Sequence, residues 1–233
     1  MLVKSIEFSQ ENYQNKEDMS TRRVTVASDG ALEAILSEHG REGGVVICHP
    51  HPLYGGSMHN NVVEAIEEGF AQSGFSTLRF NFRGVGDSEG SYDEGDGEVK
   101  DAIAACTFMR NMLDDGGRLV LAGYSFGAWI ASRAAGNIQG LKELFLVAYP
   151  FSRYEPAELR TFEGRLYLVG GSLDDVSPLD KLLPLYRELR TKKWLKVLPS
   201  SHFFPGVEHE IRDFVHQMFG PTSGAASKAM PED

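Results

Sequence analysis

A serine flanked by two glycines lies between two apolar segments near the middle of the chain. The segment Gly123–Gly127 (GYSFG) follows the apolar run Leu119–Ala122 and precedes a helical pattern of small residues that begins at Ala128. A strand, a G-x-S-x-G turn and a helix in this order are typical of a nucleophile elbow, a sharp turn from which the serine hydroxyl projects. The glycines are needed because a Cβ atom at either position would collide with the neighbouring strand and helix. The pattern predicts a strand–turn–helix unit with Ser125 at its apex.

Strands and helices alternate along most of the sequence. A hairpin is predicted first, with strands at 22–27 and 32–37. The later strands are predicted at 45–48, 77–82, 118–122, 144–148, 165–169 and 194–198, and the helices at 61–73, 98–113, 128–135, 178–189 and 207–219. This alternation implies right-handed crossovers and a mostly parallel, twisted sheet with helices on both faces. The short interval 149–164 leaves room for a loop or one short helix, so a minimal cap or none is expected.

Length and charge limit the class of protein. The chain has 233 residues, enough for one α/β domain, which we expect over residues 1–220, with a disordered tail over 221–233. A formal net charge of −10 argues against binding to nucleic acid or to an anionic membrane, since both need a basic face. The N-terminus lacks the apolar stretch of a signal peptide, so a cytoplasmic location is expected. No feature of the sequence specifies an oligomeric state.

A serine hydroxyl needs a base within hydrogen-bond reach before it becomes a good nucleophile. With this type of elbow, the expected order along the chain is serine, then an acid, then histidine, each in a loop after a strand. His202 follows the predicted strand 194–198 and has the required location. His209 and His216 fall within the predicted terminal helix, where a solvated face is the simpler interpretation. We therefore predict that His202 is the base.

The acid should follow the strand at 165–169. Asp174 and Asp175 both lie in that loop, and spacing alone does not choose between them. One of them should orient the histidine, whereas the other could cap the helix that begins near Pro178.

Two backbone N–H groups should stabilise the negative oxygen of the reaction intermediate. One is expected from Phe126, directly after the serine, and the other from the loop after the strand at 45–48. Pro50 and Pro52 in that loop have no N–H. Leu53 is our choice, and its neighbours His51 and Tyr54 remain open alternatives.

Two other segments permit a different interpretation. His49, His51 and His59 could suggest a metal site, but no carboxylate or thiolate accompanies them at a recognised spacing, and a stiff loop shaping a pocket is preferred. The glycine-rich segment 83–90 could suggest a phosphate loop. It lacks the lysine of such loops and is acidic, so a tight turn in which Asp87 or Ser88 bonds to the backbone is preferred.

Five segments together resemble the α/β-hydrolase superfamily. More narrowly, they resemble the small bacterial serine hydrolases that stand near dienelactone hydrolases and serine peptidase-like esterases. The segments are His49–Met58, Leu78–Gly90, Gly123–Gly127, Gly171–Asp174 with Pro178, and Ser201–Phe204. They spread over nearly the whole domain. The resemblance implies that Asp174 is the carboxylate of a catalytic triad and that His202 is its histidine.

The sequence thus predicts an enzyme of the α/β-hydrolase fold that cleaves a small ester with a short or medium acyl chain. Ser125, His202 and Asp174 would form the triad, and no cofactor or metal is needed. Tyr54, Phe151 and Phe203 are candidates for the wall of the substrate pocket, although each could equally belong to the core. The alternatives are an amidase or peptidase with the same triad, and a binding protein that keeps the fold without catalysis.

Overall fold

The computed structural model describes residues 21–221. Its strands are β1 (Thr21–Ala27), β2 (Ala31–Ser37), β3 (Gly43–Cys48), β4 (Ser76–Phe80), β5 (Arg118–Tyr124), β6 (Glu143–Val147), β7 (Arg165–Gly171) and β8 (Lys192–Leu198). Its α-helices are α1 (Asn61–Gln72), α2 (Asp96–Arg110), α3 (Phe126–Ala135), α4 (Ala157–Thr161), α5 (Leu179–Glu188) and α6 (Glu208–Phe219), and a short 3₁₀ helix spans Pro52–Tyr54. The predicted alternation of strands and helices is confirmed. The predicted tail lies, apart from Pro221, outside the described residues.

The eight strands form one sheet in the order β1-β2-β4-β3-β5-β6-β7-β8. β1 and β2 form the predicted hairpin, and β2 also pairs with β4 in antiparallel fashion. The strands from β4 through β8 in that order are all parallel. Because parallel strands end at the same edge of a sheet, the loops after β3, β5, β6, β7 and β8 meet there.

Alternating residues of the central strands form two apolar layers. In β3, Val46 and Cys48 face one layer, and Val45 and Ile47 face the other. The first layer is covered by α2, α3 and α5, and the second by α1 and α6. Such fully apolar strands are expected where helices cover both faces of a parallel sheet. The sheet is therefore a rigid, buried platform that fixes the ends of its strands.

The structure differs from the predicted boundaries in ways that bear on the site. β5 continues to Tyr124 and α3 already begins at Phe126, so Ser125 alone separates the strand from the helix. The connection from β6 to β7 contains only the short helix α4, as expected from its length. None of the helices within residues 21–221 is long and apolar enough to cross a membrane.

A buried ion pair ties the hairpin, the loop after β4 and helix α2 together. The Asp101 side chain is fully buried, and its two oxygens accept hydrogen bonds from the Arg83 guanidinium at 3.0 and 2.8 Å. Asp101 also accepts from the Arg83 backbone N–H at 3.1 Å and from the Ser28 hydroxyl at 2.8 Å. Every oxygen of this carboxylate is thus engaged, as burial of a charge requires.

Replacing Asp101 with alanine should lower the free energy of unfolding by about 3–5 kcal/mol, because it leaves the Arg83 charge partly buried without its partner. Urea denaturation measures this change. Asp29→Ala is the matched control, since Asp29 is exposed and lies 3.7 Å from the same guanidinium. The control should cost less than about 1 kcal/mol. Equal losses in the two variants would contradict the role assigned to Asp101.

Candidate active site

Ser125 lies at the tip of the turn between β5 and α3 in a strained conformation. Its φ is 55° and its ψ is −119°, a combination that residues with a Cβ atom rarely adopt. The Ser125 N–H donates to the carbonyl oxygen of Val147 in β6 at 2.9 Å, which anchors the turn to the sheet. Ala148 and Phe204, in loops at the same edge of the sheet, also have positive φ angles of 48° and 52°.

Both glycines of the GYSFG segment are required by close backbone contacts. A Cβ atom on Gly127 would lie 2.2 Å from the carbonyl oxygen of Cys48, at the end of β3. A Cβ atom on Gly123 would lie 2.2 Å from the carbonyl oxygen of Gly127 itself. The elbow therefore packs directly against the loop that follows β3, as the pattern predicts.

Three side chains predicted from the sequence meet at this edge of the sheet. Nε2 of His202 lies 2.8 Å from Oγ of Ser125, and Nδ1 of His202 lies 2.8 Å from Oδ2 of Asp174. An ionised carboxylate can only accept a hydrogen bond, so Nδ1 carries the proton and Nε2 is left free to accept from the serine hydroxyl. Asp174 is fully buried at its side chain, and that of His202 is 11% exposed. The arrangement can move a proton from Ser125 to His202.

The two adjacent aspartates have different surroundings, and only Asp174 contacts His202. Oδ1 of Asp174 accepts from the N–H groups of Val176 and Ser177, each at 2.8 Å, while Oδ2 faces the histidine. Asp175 is exposed, and no side chain caps the N-terminus of α5. The role of helix cap suggested for the second aspartate is therefore not filled. His209 and His216 are exposed on α6, as expected.

Tyr124 makes a contact that no motif in the sequence predicts. Its buried hydroxyl donates to the backbone carbonyl oxygen of His202 at 2.8 Å. The residue before the serine thus holds the loop that carries the histidine. The position is not specified by the G-x-S-x-G pattern, in which the residue before the serine is free to vary. Only the path of the loop after β8 reveals the partner.

The prediction that Leu53 supplies the second N–H donor is wrong, because the Leu53 N–H already has an acceptor. The Leu53 N–H donates to Nδ1 of His51 at 3.2 Å, and the Leu53 side chain is 66% exposed and lies outside the cleft. The Tyr54 N–H donates to the His51 carbonyl at 3.0 Å. Within residues 21–221, the N–H groups of His51 and Phe126 donate to no acceptor. Of the alternatives considered, His51 alone retains a free N–H in this loop.

His49 is a structural residue. It is fully buried, its Nε2 accepts from the Phe82 N–H at 3.0 Å, and its Nδ1 lies 2.6 Å from the Pro50 carbonyl. An N–H can only donate and a carbonyl can only accept, so the proton lies on Nδ1. Burial lowers the pKa of His49 to about 4, which keeps the ring neutral. In the described part of the chain, no three His, Cys, Asp or Glu side chains are grouped so as to hold a metal ion.

The glycine-rich segment 83–90 forms a tight turn, as predicted. The Ser88 hydroxyl donates to the carbonyl of Asn81 at 2.7 Å and accepts from the Glu33 N–H at 2.9 Å. Ser88 therefore fixes the turn to β2. Asp87 contributes its backbone N–H, which donates to the Glu33 carboxylate at 3.1 Å.

The three side chains open into a cleft of about 220 Å³. Tyr54 and Phe203 line it, as predicted, and they are 73% and 70% exposed. Phe151 does not line the cleft. It is buried in the core, where its ring packs 4.7 Å from that of Tyr149, so of its two predicted roles the structure gives it the core. Its place at the cleft is taken by residues of the same loop, Pro150, Arg153 and Tyr154.

A mostly parallel sheet with helices on both faces and a serine elbow after a central strand defines an α/β hydrolase. The model of the alpha/beta hydrolase family matches residues 45–230, and the chain belongs to that family. The chain is also similar to an uncharacterized protein of Rickettsia prowazekii (strain Madrid E). The two are 31% identical over 168 residues, which cover 68% of this chain and 71% of that protein.

Two solved structures are similar over most of their length. An alpha-beta serine hydrolase homologue from Coxiella burnetii has 32% identity and a TM-score of 0.78, covering 90% of this chain and 100% of that one. A Xanthomonas campestris protein, described as an α/β serine hydrolase without a lid, has 27% identity and a TM-score of 0.77, covering 88% and 95%. These similarities support hydrolase activity.

Tyr124→Phe should slow the reaction of Ser125 with a fluorophosphonate probe about fivefold, because a loop that loses one hydrogen bond holds His202 less firmly. Rates of labelling measure this change. Tyr186→Phe is the matched control, since the Tyr186 hydroxyl also donates to a backbone carbonyl, that of Lys193, outside the cleft. An unchanged labelling rate in Tyr124→Phe would contradict the positioning role.

The buried His49 should make stability depend on pH. Between pH 7 and pH 5 the unfolded chain takes up a proton at this histidine and the folded protein does not, because its pKa is lowered from 6.5 to about 4. The free energy of unfolding should therefore decrease when the pH is lowered from 7 to 5, and His49 should account for about 2 kcal/mol of this decrease. Urea denaturation at pH 7 and at pH 5 measures this decrease. In His49→Gln the decrease should be smaller than in the wild-type protein by about 2 kcal/mol. The exposed His209→Gln should keep the wild-type dependence, and an identical dependence in all three proteins would contradict the assignment.

Proposed function

We propose that this protein is a serine hydrolase that cleaves a small carboxylic ester with a short or medium acyl chain. The observation that carries the proposal is the pair of 2.8 Å contacts that link Ser125 to His202 and His202 to Asp174. A hydroxyl, an imidazole and a buried carboxylate joined in this order form the arrangement that activates a serine. The cleft of about 220 Å³ suits a small substrate.

In the first half of the reaction, Oγ of Ser125 attacks the ester carbonyl carbon. Nε2 of His202 takes the hydroxyl proton, and the Asp174 carboxylate stabilises the resulting imidazolium. The carbonyl oxygen becomes negative as the new C–O bond forms. When the intermediate collapses, the bond to the alcohol oxygen breaks, and His202 returns its proton to the leaving alcohol.

In the second half, water replaces the alcohol. The water oxygen attacks the acyl carbon while His202 takes a proton from the water. A second negatively charged intermediate forms. Collapse breaks the bond between the acyl carbon and Ser125, and the proton on His202 returns to the serine oxygen. The products are a carboxylic acid and the free enzyme.

The backbone N–H groups of Phe126 and His51 are the proposed donors to the negative oxygen. Phe126 is the first residue of α3, so its N–H has no partner inside the helix and lies where the helix dipole favours negative charge. The rings of His51 and Phe126 pack with centroids 4.7 Å apart, which holds the two residues side by side. Two free backbone N–H groups close together in space are what such a site requires.

Ser125→Ala should reduce the hydrolysis of p-nitrophenyl butyrate by about four orders of magnitude or more, because no other group replaces the nucleophile. The initial rate of p-nitrophenolate release measures it. Ser132→Ala is the control, since Ser132 is also a buried serine. It lies on α3, where its hydroxyl donates to the Trp129 carbonyl of the same helix.

Retention of activity in Ser125→Ala would exclude the proposed nucleophile. If the wild-type protein cleaves matched amino-acyl amides faster than esters, the reaction is that of an amidase instead. Failure of Ser125 to react with a fluorophosphonate would favour a binding protein without catalysis.

A further inference from the structure

Arg153 brings an unpaired positive charge to the cleft. It lies in the loop after β6 and lines the cleft beside Ser125 and His202. Within residues 21–221, its guanidinium contacts no carboxylate within 4.0 Å and donates no hydrogen bond. Two other arginines of the fold show the contrast: Arg83 binds Asp101 at 2.8 Å, and Arg133 binds Asp96 at 2.7 Å.

The backbone that carries Arg153 is held firmly. The Arg153 N–H donates to the Pro150 carbonyl at 3.0 Å, and the Ser152 N–H donates to the Val176 carbonyl at 3.1 Å. Val176 belongs to the loop that holds Asp174, and it also lines the cleft. The position of Arg153 relative to the site is thus fixed by the backbone, while its side chain is exposed.

An aromatic ring lies beside the guanidinium. Cζ of Arg153 lies over the Tyr54 ring, 5.9 Å from its centroid, and the Tyr54 ring lies 4.7 Å from that of His51. A cation–π contact of this kind uses none of the guanidinium N–H groups as hydrogen-bond donors to an oxygen, so they remain available to an acceptor.

The surrounding charges favour an anion at this point. The described residues that line the cleft include no aspartate or glutamate, and Arg153 is their only lysine or arginine. Burial, and to a smaller degree the nearby charge of Arg153, lower the pKa of His51 in the same cleft. In a protein with a net charge of −10, the wall of the cleft thus carries the positive charge of Arg153, while the negative charge of Asp174 is buried behind His202.

We propose that Arg153 binds a carboxylate carried by the substrate, so that the natural ester has a free acid group away from the bond that is cleaved. One guanidinium matches one carboxylate in charge and can hold both of its oxygens. A phosphate, with nearly two charges, would remain half neutralised. This inference rests on the proposed esterase function and names the substrate class of the same site.

The test compares esters that differ only in this charge. The p-nitrophenyl hemiesters of succinate, glutarate and adipate carry the acid on the acyl side, and their methyl esters are the neutral partners. The pair 4-carboxyphenyl butyrate and its methyl ester carries the acid on the alcohol side. In at least one pair, kcat/KM of the wild-type protein should be about tenfold higher for the acid. The difference should lie mainly in KM, because the acid group is remote from the reacting carbonyl.

Variants of Arg153 should remove this preference. In Arg153→Gln, the ratio of kcat/KM for the acid to kcat/KM for the neutral ester should be close to one. In Arg153→Glu, the neutral ester should be preferred. Arg187→Gln is the matched control, since Arg187 is exposed on α5 and does not line the cleft. It should keep the wild-type ratio. Added salt screens the attraction between charges, so it should reduce this kcat/KM ratio in the wild-type protein and leave the ratio of Arg153→Gln unchanged.

The outcomes separate this inference from the proposal on which it rests. If the neutral esters are cleaved in a Ser125-dependent manner and no acid is preferred, the esterase function holds and the inference is overturned. A preference for the acid that survives in Arg153→Gln also overturns it. If none of the esters is cleaved, the proposed function fails and the inference fails with it.

Discussion

The close approach of the elbow to the end of β3 is the constraint on which the site depends. Gly127 lies so near the Cys48 carbonyl that no side chain fits between them, and Gly123 lies equally near Gly127. The strained turn at Ser125 lies between these two glycines. The close approach brings the start of α3 beside the loop after β3, so that the free N–H groups of Phe126 and His51 belong to neighbouring residues. Backbone packing, rather than any side chain, thus sets the geometry around the serine.

The histidine is restrained from two directions. Its ring faces the Asp174 carboxylate, which is itself held by two backbone N–H groups, and its carbonyl accepts from the Tyr124 hydroxyl. Tyr124 also directly precedes Ser125. The nucleophile and the proposed base are therefore positioned by the same segment of chain. A displacement of either one would be transmitted to the other through a single side chain, which favours a preorganised arrangement.

The sequence was most informative where a pattern corresponds to backbone geometry. The elbow and the alternation of strands and helices followed from glycine and apolar spacing, and the position of His202 followed from chain order. Asp174 and Asp175 could not be separated by spacing, because adjacent residues differ only in the direction in which a particular turn points them. Leu53 was wrong for the same reason, since the direction of an N–H depends on the turn. Arg153 carries no motif, and only its place in the cleft draws attention to it.

Backbone strain is concentrated around the site. Of the four non-glycine residues with positive φ among residues 21–221, three lie in its loops, namely Ser125, Ala148 and Phe204. Such conformations cost about 1–3 kcal/mol each and persist only where the surrounding structure enforces them. Glycine adopts a positive φ without a Cβ clash, so Ser125→Gly would relieve the local strain while removing the hydroxyl. A hydroxyl at this position therefore comes with a strained backbone, and the apolar layers on both faces of the sheet hold the strands that frame the turn.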